Sequence, residues 1–158
     1  MTTPIADNDA GPLIEEAFVA GQGGSVERVG EHTWIGRNER GGEVRISSND
    51  AEGTFSPGEL LQLAVASCST VTIEEMVTRR SGPDARVDAT VTRDRAPGTY
   101  EFQRISVTLD VDVDGSDEAL IRALRKAIER QCTISRTVEQ GAVVDLEIVA
   151  GPGDARAS

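Results

Sequence analysis

The chain has 158 residues and a formal net charge of -11, room for one domain with a packed core and too little for two comfortable ones. Aromatics make up only 3%, so Val, Leu, Ile and Ala must build that core, and an acidic surface short of stacking rings excludes nucleic acid as a general partner. Two cysteines and one histidine make neither a disulfide scaffold nor a zinc site, and no metal or cofactor is expected.

Residues 1–12 and 151–158 read as disordered tails around a single domain of residues 13–150. The first twelve residues hold two Asp, no Lys or Arg, and no apolar run of a signal peptide. The longest mostly apolar stretch, residues 60–65, is far short of a membrane span. A cytoplasmic protein without a membrane partner is expected.

Residues 13–20 leave a strand and a single helical turn both open. From Glu31, the residues His32, Trp34 and Gly36 alternate with Thr33, Ile35 and Arg37. After the turn at residues 38–42 (NERGG), residues 43–46 alternate again. Two period-2 runs around a glycine-containing turn predict a β-hairpin with Arg37 and Arg40 near its end.

Ser56-Pro57-Gly58-Glu59 has the form of a helix start, with Ser56 as cap, Pro57 in the first position and Glu59 reaching back to the cap. The predicted helix runs over residues 57–79 and stops before Gly82-Pro83. Being apolar on most sides as far as Val71, it is expected to be the buried central element. Residues 86–93 form a strand with Val87, Ala89 and Val91 on one face. A turn at Pro97-Gly98 leads to a second strand, with Ile105, Val107, Leu109, Val111 and Val113 inward. Asp110, Asp112 and Asp114 then lie on its wet face and form no calcium loop. Ser116 is the predicted cap of a second helix with a stripe of Leu120, Ala123, Leu124, Ala127 and Ile128. A short helix over residues 134–140 stops at Gly141, and Val144, Leu146 and Ile148 predict a final strand. The order gives an α+β fold, helices against antiparallel or mixed sheets.

The cysteines are inert core thiols or a reactive pair. Cys68 stands about three turns inside its helix, too deep for the N-terminal dipole to ionise it. A reactive Cys68 needs a guanidinium from elsewhere, for which Arg37 and Arg40 are the candidates. Cys132 sits in a polar stretch with Arg136, an odd setting for a thiol that only fills space.

The segment S-P-G-E-L-L-x-x-A-x-A-S-C ending at Cys68, and C-T-x-S-R-T-x-x-x-G from Cys132 to Gly141, resemble the OsmC/Ohr family of osmotically inducible and organic hydroperoxide resistance proteins. The hairpin W-I-G-R-N-E-R-G-G from Trp34 is similar to that family's first hairpin. The resemblance spans residues 34–149 and implies an OsmC-like fold around a long buried central helix, in an intertwined homodimer with sites at the subunit interface. It further implies a thiol-dependent peroxidase for organic or lipid hydroperoxides. Cys68 becomes a sulfenic acid, Cys132 resolves it as a disulfide, Arg40 activates Cys68, and a dithiol or lipoyl-protein restores the thiols.

This chain is a divergent member by that comparison. Peroxidatic members carry a glutamate directly after the helix-start proline, where it helps to hold the arginine; here that residue is Gly58 and the glutamate is Glu59. One residue turns a side chain by about 100° around a helix, so Glu59 reads as a capping residue. Glu75, seven residues after Cys68, is a substitute clamp or simply the solvated end of the helix. Thr133 stands where the family usually has proline. The alternative reading is therefore a non-peroxidatic member that binds a small apolar ligand in the interface cleft.

Overall fold

In a computed structural model describing Gly21 and residues 23–149, the chain gathers into two compact units that divide between Ser56 and Pro57. Residues 13–20 and both tails lie outside the described residues.

The first unit is a three-stranded antiparallel sheet in the order β1 (Gly24–Gly30), β2 (Thr33–Asn38), β3 (Glu43–Ser47). The hairpin β2–β3 is in the expected register, with Trp34 opposite Ile46 and Arg37 opposite Glu43. Its turn is built by Asn38, whose Oδ1 accepts the amides of Arg40 at 3.0 Å and Gly42 at 2.9 Å. Gly41 takes a φ of 81°, which glycine adopts without a Cβ clash. The strand β1 was not expected: GSVERVG lacks clean alternation, and its Val26 and Val29 are exposed. Its pairing with β2 forms the strand. His32 lies in the β1–β2 turn, exposed, with Nδ1 3.1 Å from Ser48 Oγ.

The second unit begins with helix α1 (Pro57–Ser81), followed by β4 (Val87–Asp94), β5 (Arg104–Val111), α2 (Glu118–Gln131) and α3 (Thr133–Gln140). Strands β4 and β5 form an antiparallel pair whose inward residues meet directly, Val87 with Val111, Ala89 with Leu109 and Val91 with Val107. Both sheets are antiparallel; the parallel contact among the described residues is one isolated bridge, Ile46 to Phe55. The core of this unit is Ile73, Val77 and Leu124, with Met76, Val87, Leu109 and Ile128 packed around them. On the wet face, Arg86 pairs with Asp110 at 3.1 Å and Asp112 at 3.3 Å.

Four expectations need correction. The central helix is not wholly buried in a single chain: Leu61, Leu63 and Val71 are 38, 42 and 70% exposed, because one two-stranded sheet and two short helices leave part of its circumference uncovered. The cap of α2 is Asp117, whose Oδ1 accepts the Leu120 amide at 3.0 Å, because the Asp114 carboxylate captures Ser116 through both its amide and hydroxyl. Of the α2 stripe, Ala123 is exposed. Residues 142–149 form no strand, and Val144, Leu146 and Ile148 are more than 80% exposed. A strand needs an edge to pair with, and they find none among the described residues.

By length and composition α1 is apolar enough to cross a membrane, yet Ile73 and Val77 are fully buried within the core. Its apolar run extends past residue 65 because the hydroxyls of Ser69, Thr70 and Thr72 bond to carbonyls of their own helix.

The Ser116 hydroxyl and amide, with Arg80 adding a smaller attraction, hold the Asp114 carboxyl below its usual range. A depressed folded pKa adds stability above the unfolded value and loses it as pH falls through the folded one. Asp114→Asn is accordingly expected to flatten the acid limb of a pH–stability curve, measured by urea denaturation.

Candidate functional site

The two thiols predicted to work together meet in the second unit. Cys68 projects from the middle of α1 and is half-buried; Cys132, between α2 and α3, is fully buried. Both are free thiols, and their side chains interact with each other. Helix geometry explains the meeting. The amide of Cys132 still donates to Ile128 at 3.0 Å, its carbonyl already accepts Arg136 at 3.1 Å, and its extended backbone bends the chain between the two helices.

Hydrogen-bond donors surround the pair. Ser135 Oγ lies 3.0 Å from Cys132 Sγ, and the amides of Thr133 and Ile134 reach Cys68. Burial, followed by the contact with Cys132, pushes the Cys68 thiol up. Burial also acts upward on Cys132, but hydrogen bonding led by the Ser135 side chain and then Cys68 outweighs it and brings that thiol below its ordinary value.

Beside the pair opens a cleft of about 640 Å³. Leu61, Val65 and Ser69 of α1, Ile105 and Val107 of β5, and Ile128 of α2 line it, with Ser135, Arg136 and Val138 closing it from α3. Phe102 completes its apolar lining, Gln103, Arg104, Glu129 and Glu139 add polar and charged groups, and Ser69 and Ser135 are the lining residues that neighbour the cysteines.

The predicted arginines belong to the first unit. Arg37 is committed there: its Nε donates to Glu43 at 2.6 Å and its Nη1 to Glu27 at 2.7 Å, and these carboxylates raise its pKa. Arg40 stands in the exposed hairpin turn. Glu75 pairs with Arg79 one turn along the same helix, as the solvated end of α1 rather than a clamp.

Sequence reasoning missed a third arginine. Arg93 of β4 lies over the ring of Phe102, 4.7 Å from its centroid, and both press on Gly58. A Cβ at that position would meet Arg93 Nη1 and come within 2.9 Å of Phe102 Cζ. The glycine was the available signal, since a residue without a Cβ in a first helical turn marks close approach by something else. Replacing a helical glycine by alanine normally adds up to about 1 kcal/mol. Gly58→Ala is expected to bring no such gain in urea denaturation, because Arg93 must leave its ring.

The sequence profile described as OsmC-like protein matches residues 49–147. An uncharacterised protein of Mycobacterium tuberculosis (strain H37Rv) is 35% identical over 128 residues, covering 78% of this chain and 93% of its own. Among solved structures, an OsmC-like protein from Mycoplasma pneumoniae superposes with a TM-score of 0.58 at 15% identity, covering 78% of this chain and 90% of its own. An organic hydroperoxide resistance protein from Legionella pneumophila gives 0.51 at 16%, over 77% and 90%.

Proposed function

Since the chain belongs to the OsmC-like family, we propose that it is a thiol-dependent peroxidase for organic or lipid hydroperoxides. The observation that carries this reading is the meeting of Cys68 and Cys132 as free thiols beside a cleft with an apolar side. The sulfur of Cys68 attacks the terminal oxygen of the hydroperoxide and the O–O bond breaks. The alkoxide leaves and becomes the alcohol, while Cys68 becomes a sulfenic acid. The sulfur of Cys132 displaces hydroxide from it to give the disulfide, which a dithiol such as a lipoyl-protein reduces by exchange. Arg40 supplies positive charge to the forming thiolate and the leaving alkoxide. The cytoplasm, with its reducing pool, is the compartment this cycle fits.

A homodimer belongs to the same reading. The exposed Leu61, Leu63 and Val71 of α1, and the exposed alternation of residues 142–149, are faces a second copy would cover. In dilute solution the mass is expected to be twice that of the chain.

Incubation with cumene hydroperoxide followed by mass spectrometry tests the reaction. The expected product is a Cys68–Cys132 crosslink with loss of two free thiols, and an unchanged thiol count overturns the reading.

The second reading, a non-peroxidatic binder of a small apolar ligand, draws on Gly58 being occupied by Arg93 and Phe102, and on the upward push on Cys68. It predicts saturable binding of a long-chain alcohol without thiol oxidation.

A further inference from the structure

The helices packed on the β4–β5 pair do not fully close its inner face. Ile105, Val107, Leu109 and Val111 alternate inward along β5, yet each stays only half-buried. The space over them is continuous. A second cleft of about 420 Å³ shares Ser69, Val107, Ile128 and Glu129 with the cleft beside the thiols, then follows Leu109 and Val111 of β5 and Ile121 of α2. Six residues separate Ile105 from Val111, so the joined groove follows the strand for about 20 Å. Its ends differ. Where α1 begins, Phe102 closes it: Arg93 backs the ring, 4.7 Å from the centroid, and the ring lies so near the backbone that a Cβ at Gly58 would come within 2.9 Å of it. At the far end the groove opens beside Ile121, which is 36% exposed. The thiols stand between these ends. Ser69, the residue after Cys68, lines both clefts, and Ser135, 3.0 Å from the Cys132 sulfur, lines the first. Neither arm carries a net charge: Arg104 and Arg136 are balanced by Glu129 and Glu139 in the first, and Arg125 by Glu129 in the second.

We propose that the second cleft is a subsite for one arm of a long, unbranched, uncharged chain whose other arm fills the cleft beside the thiols, with Phe102 and Ile121 setting the length that each arm accepts. The substrate class this names rests on the peroxidase reading: hydroperoxides borne in the interior of a long chain, as on an ester of an unsaturated fatty acid. A hydroperoxyl group in the middle of such a chain meets the sulfurs while both of its alkyl arms lie on apolar wall. Each seated methylene is worth about a fourfold gain in affinity, which a compact group such as cumyl, confined to the first cleft, forgoes. An ionised head gains nothing in either arm, because each already pairs its own charges. Arg93 acts through Phe102, holding the ring as the end wall in the space that Gly58 leaves open.

Calorimetric titration of the Cys68→Ser chain with straight-chain primary alcohols, hexanol to dodecanol, tests the subsite without any peroxide. Affinity is expected to rise about fourfold per added carbon until the groove is full. Adding Ile121→Trp, which fills the second cleft, should end the rise at a shorter alcohol. Ile121→Glu, which puts a charge there instead of bulk, should do the same, and urea midpoints confirm that each variant is folded. Phe102→Ala should carry the rise to a longer alcohol. No binding of the series, or a rise that ends at the same alcohol in both Ile121 variants as in the parent, overturns the subsite. With the cysteines intact, the ratio of thiol-loss rates for methyl oleate hydroperoxide over cumene hydroperoxide should fall about tenfold in Ile121→Trp, the loss of roughly two seated methylenes; an unchanged ratio overturns the substrate class. The peroxidase reading fails separately. If the rise is cut short in the Ile121 variants but the unmodified chain forms no disulfide with either hydroperoxide, the subsite holds and the reaction is lost. If the disulfide forms and the alcohol series ignores Ile121, the reaction holds and the subsite is lost.

Discussion

Arg40→Met is expected to slow hydroperoxide-driven thiol loss by about 100-fold or more, while Arg37→Met leaves it near the native rate. The magnitude follows from removing one charge-stabilising donor from a reaction that builds negative charge, which costs roughly 3–4 kcal/mol. The need for such a donor follows from position. Cys68 lies about three turns inside α1, burial pushes its thiol up, and its own helix offers no cation for fourteen residues around it. Arg37, for its part, already serves Glu27 and Glu43 across β1–β2–β3, and an exposed ion pair of this kind is mainly local. Side-by-side stopped-flow thiol titrations decide it. Loss of rate in Arg37→Met alone reverses the assignment, and no loss in either removes arginine activation from the mechanism.

Ile73→Ala is expected to destabilise the second unit by about 2–5 kcal/mol, measured by urea denaturation at constant chain concentration. Ile73 is completely buried, next to Val77 and Leu124, with Met76 and residues of β4 and β5 around it. Truncation removes three methyl or methylene carbons from a site with walls on every side, so the cavity has little means of closing. The neighbouring Val71, 70% exposed on the same helix, serves as the control: Val71→Ala should change the stability of the isolated chain by less than Ile73→Ala. Equal effects would show that the helix does not present the face described here.

Where the chain writes its structure locally, the reading from sequence and the fold agree. Pro57 opens α1, period-2 alternation marks β2 through β5, and Gly141 closes α3 with a φ of 67°. Long-range matters were illegible for physical reasons. The strand β1 comes from its partner rather than from its own pattern. The alternation of Val144, Leu146 and Ile148 encodes a strand for which the described residues supply no hydrogen-bonding edge. Asp114 outcompetes the helix for Ser116, so the cap falls to Asp117 one residue on. At the site, the cysteine pair was visible from its motifs, whereas the position of Arg93 over Gly58 depends on how β4 and Phe102 fold back onto α1. Ser135 was in plain view within C-T-x-S-R-T, but an i to i+3 contact acquires meaning only once Cys132 is known to begin a helix.

Residues 142–149, without a strand partner among the described residues, bear on how order is reached. Their side chains stand in water along a stretch with strand periodicity and no regular structure, so the amides of this stretch should exchange with deuterium within seconds to minutes while those of α1 persist. If a second copy provides an edge, protection of this stretch rises with chain concentration, and the last step of refolding becomes second order in chain. Folding of the core would then be a property of each molecule, and order at its C-terminal end a property of the concentration.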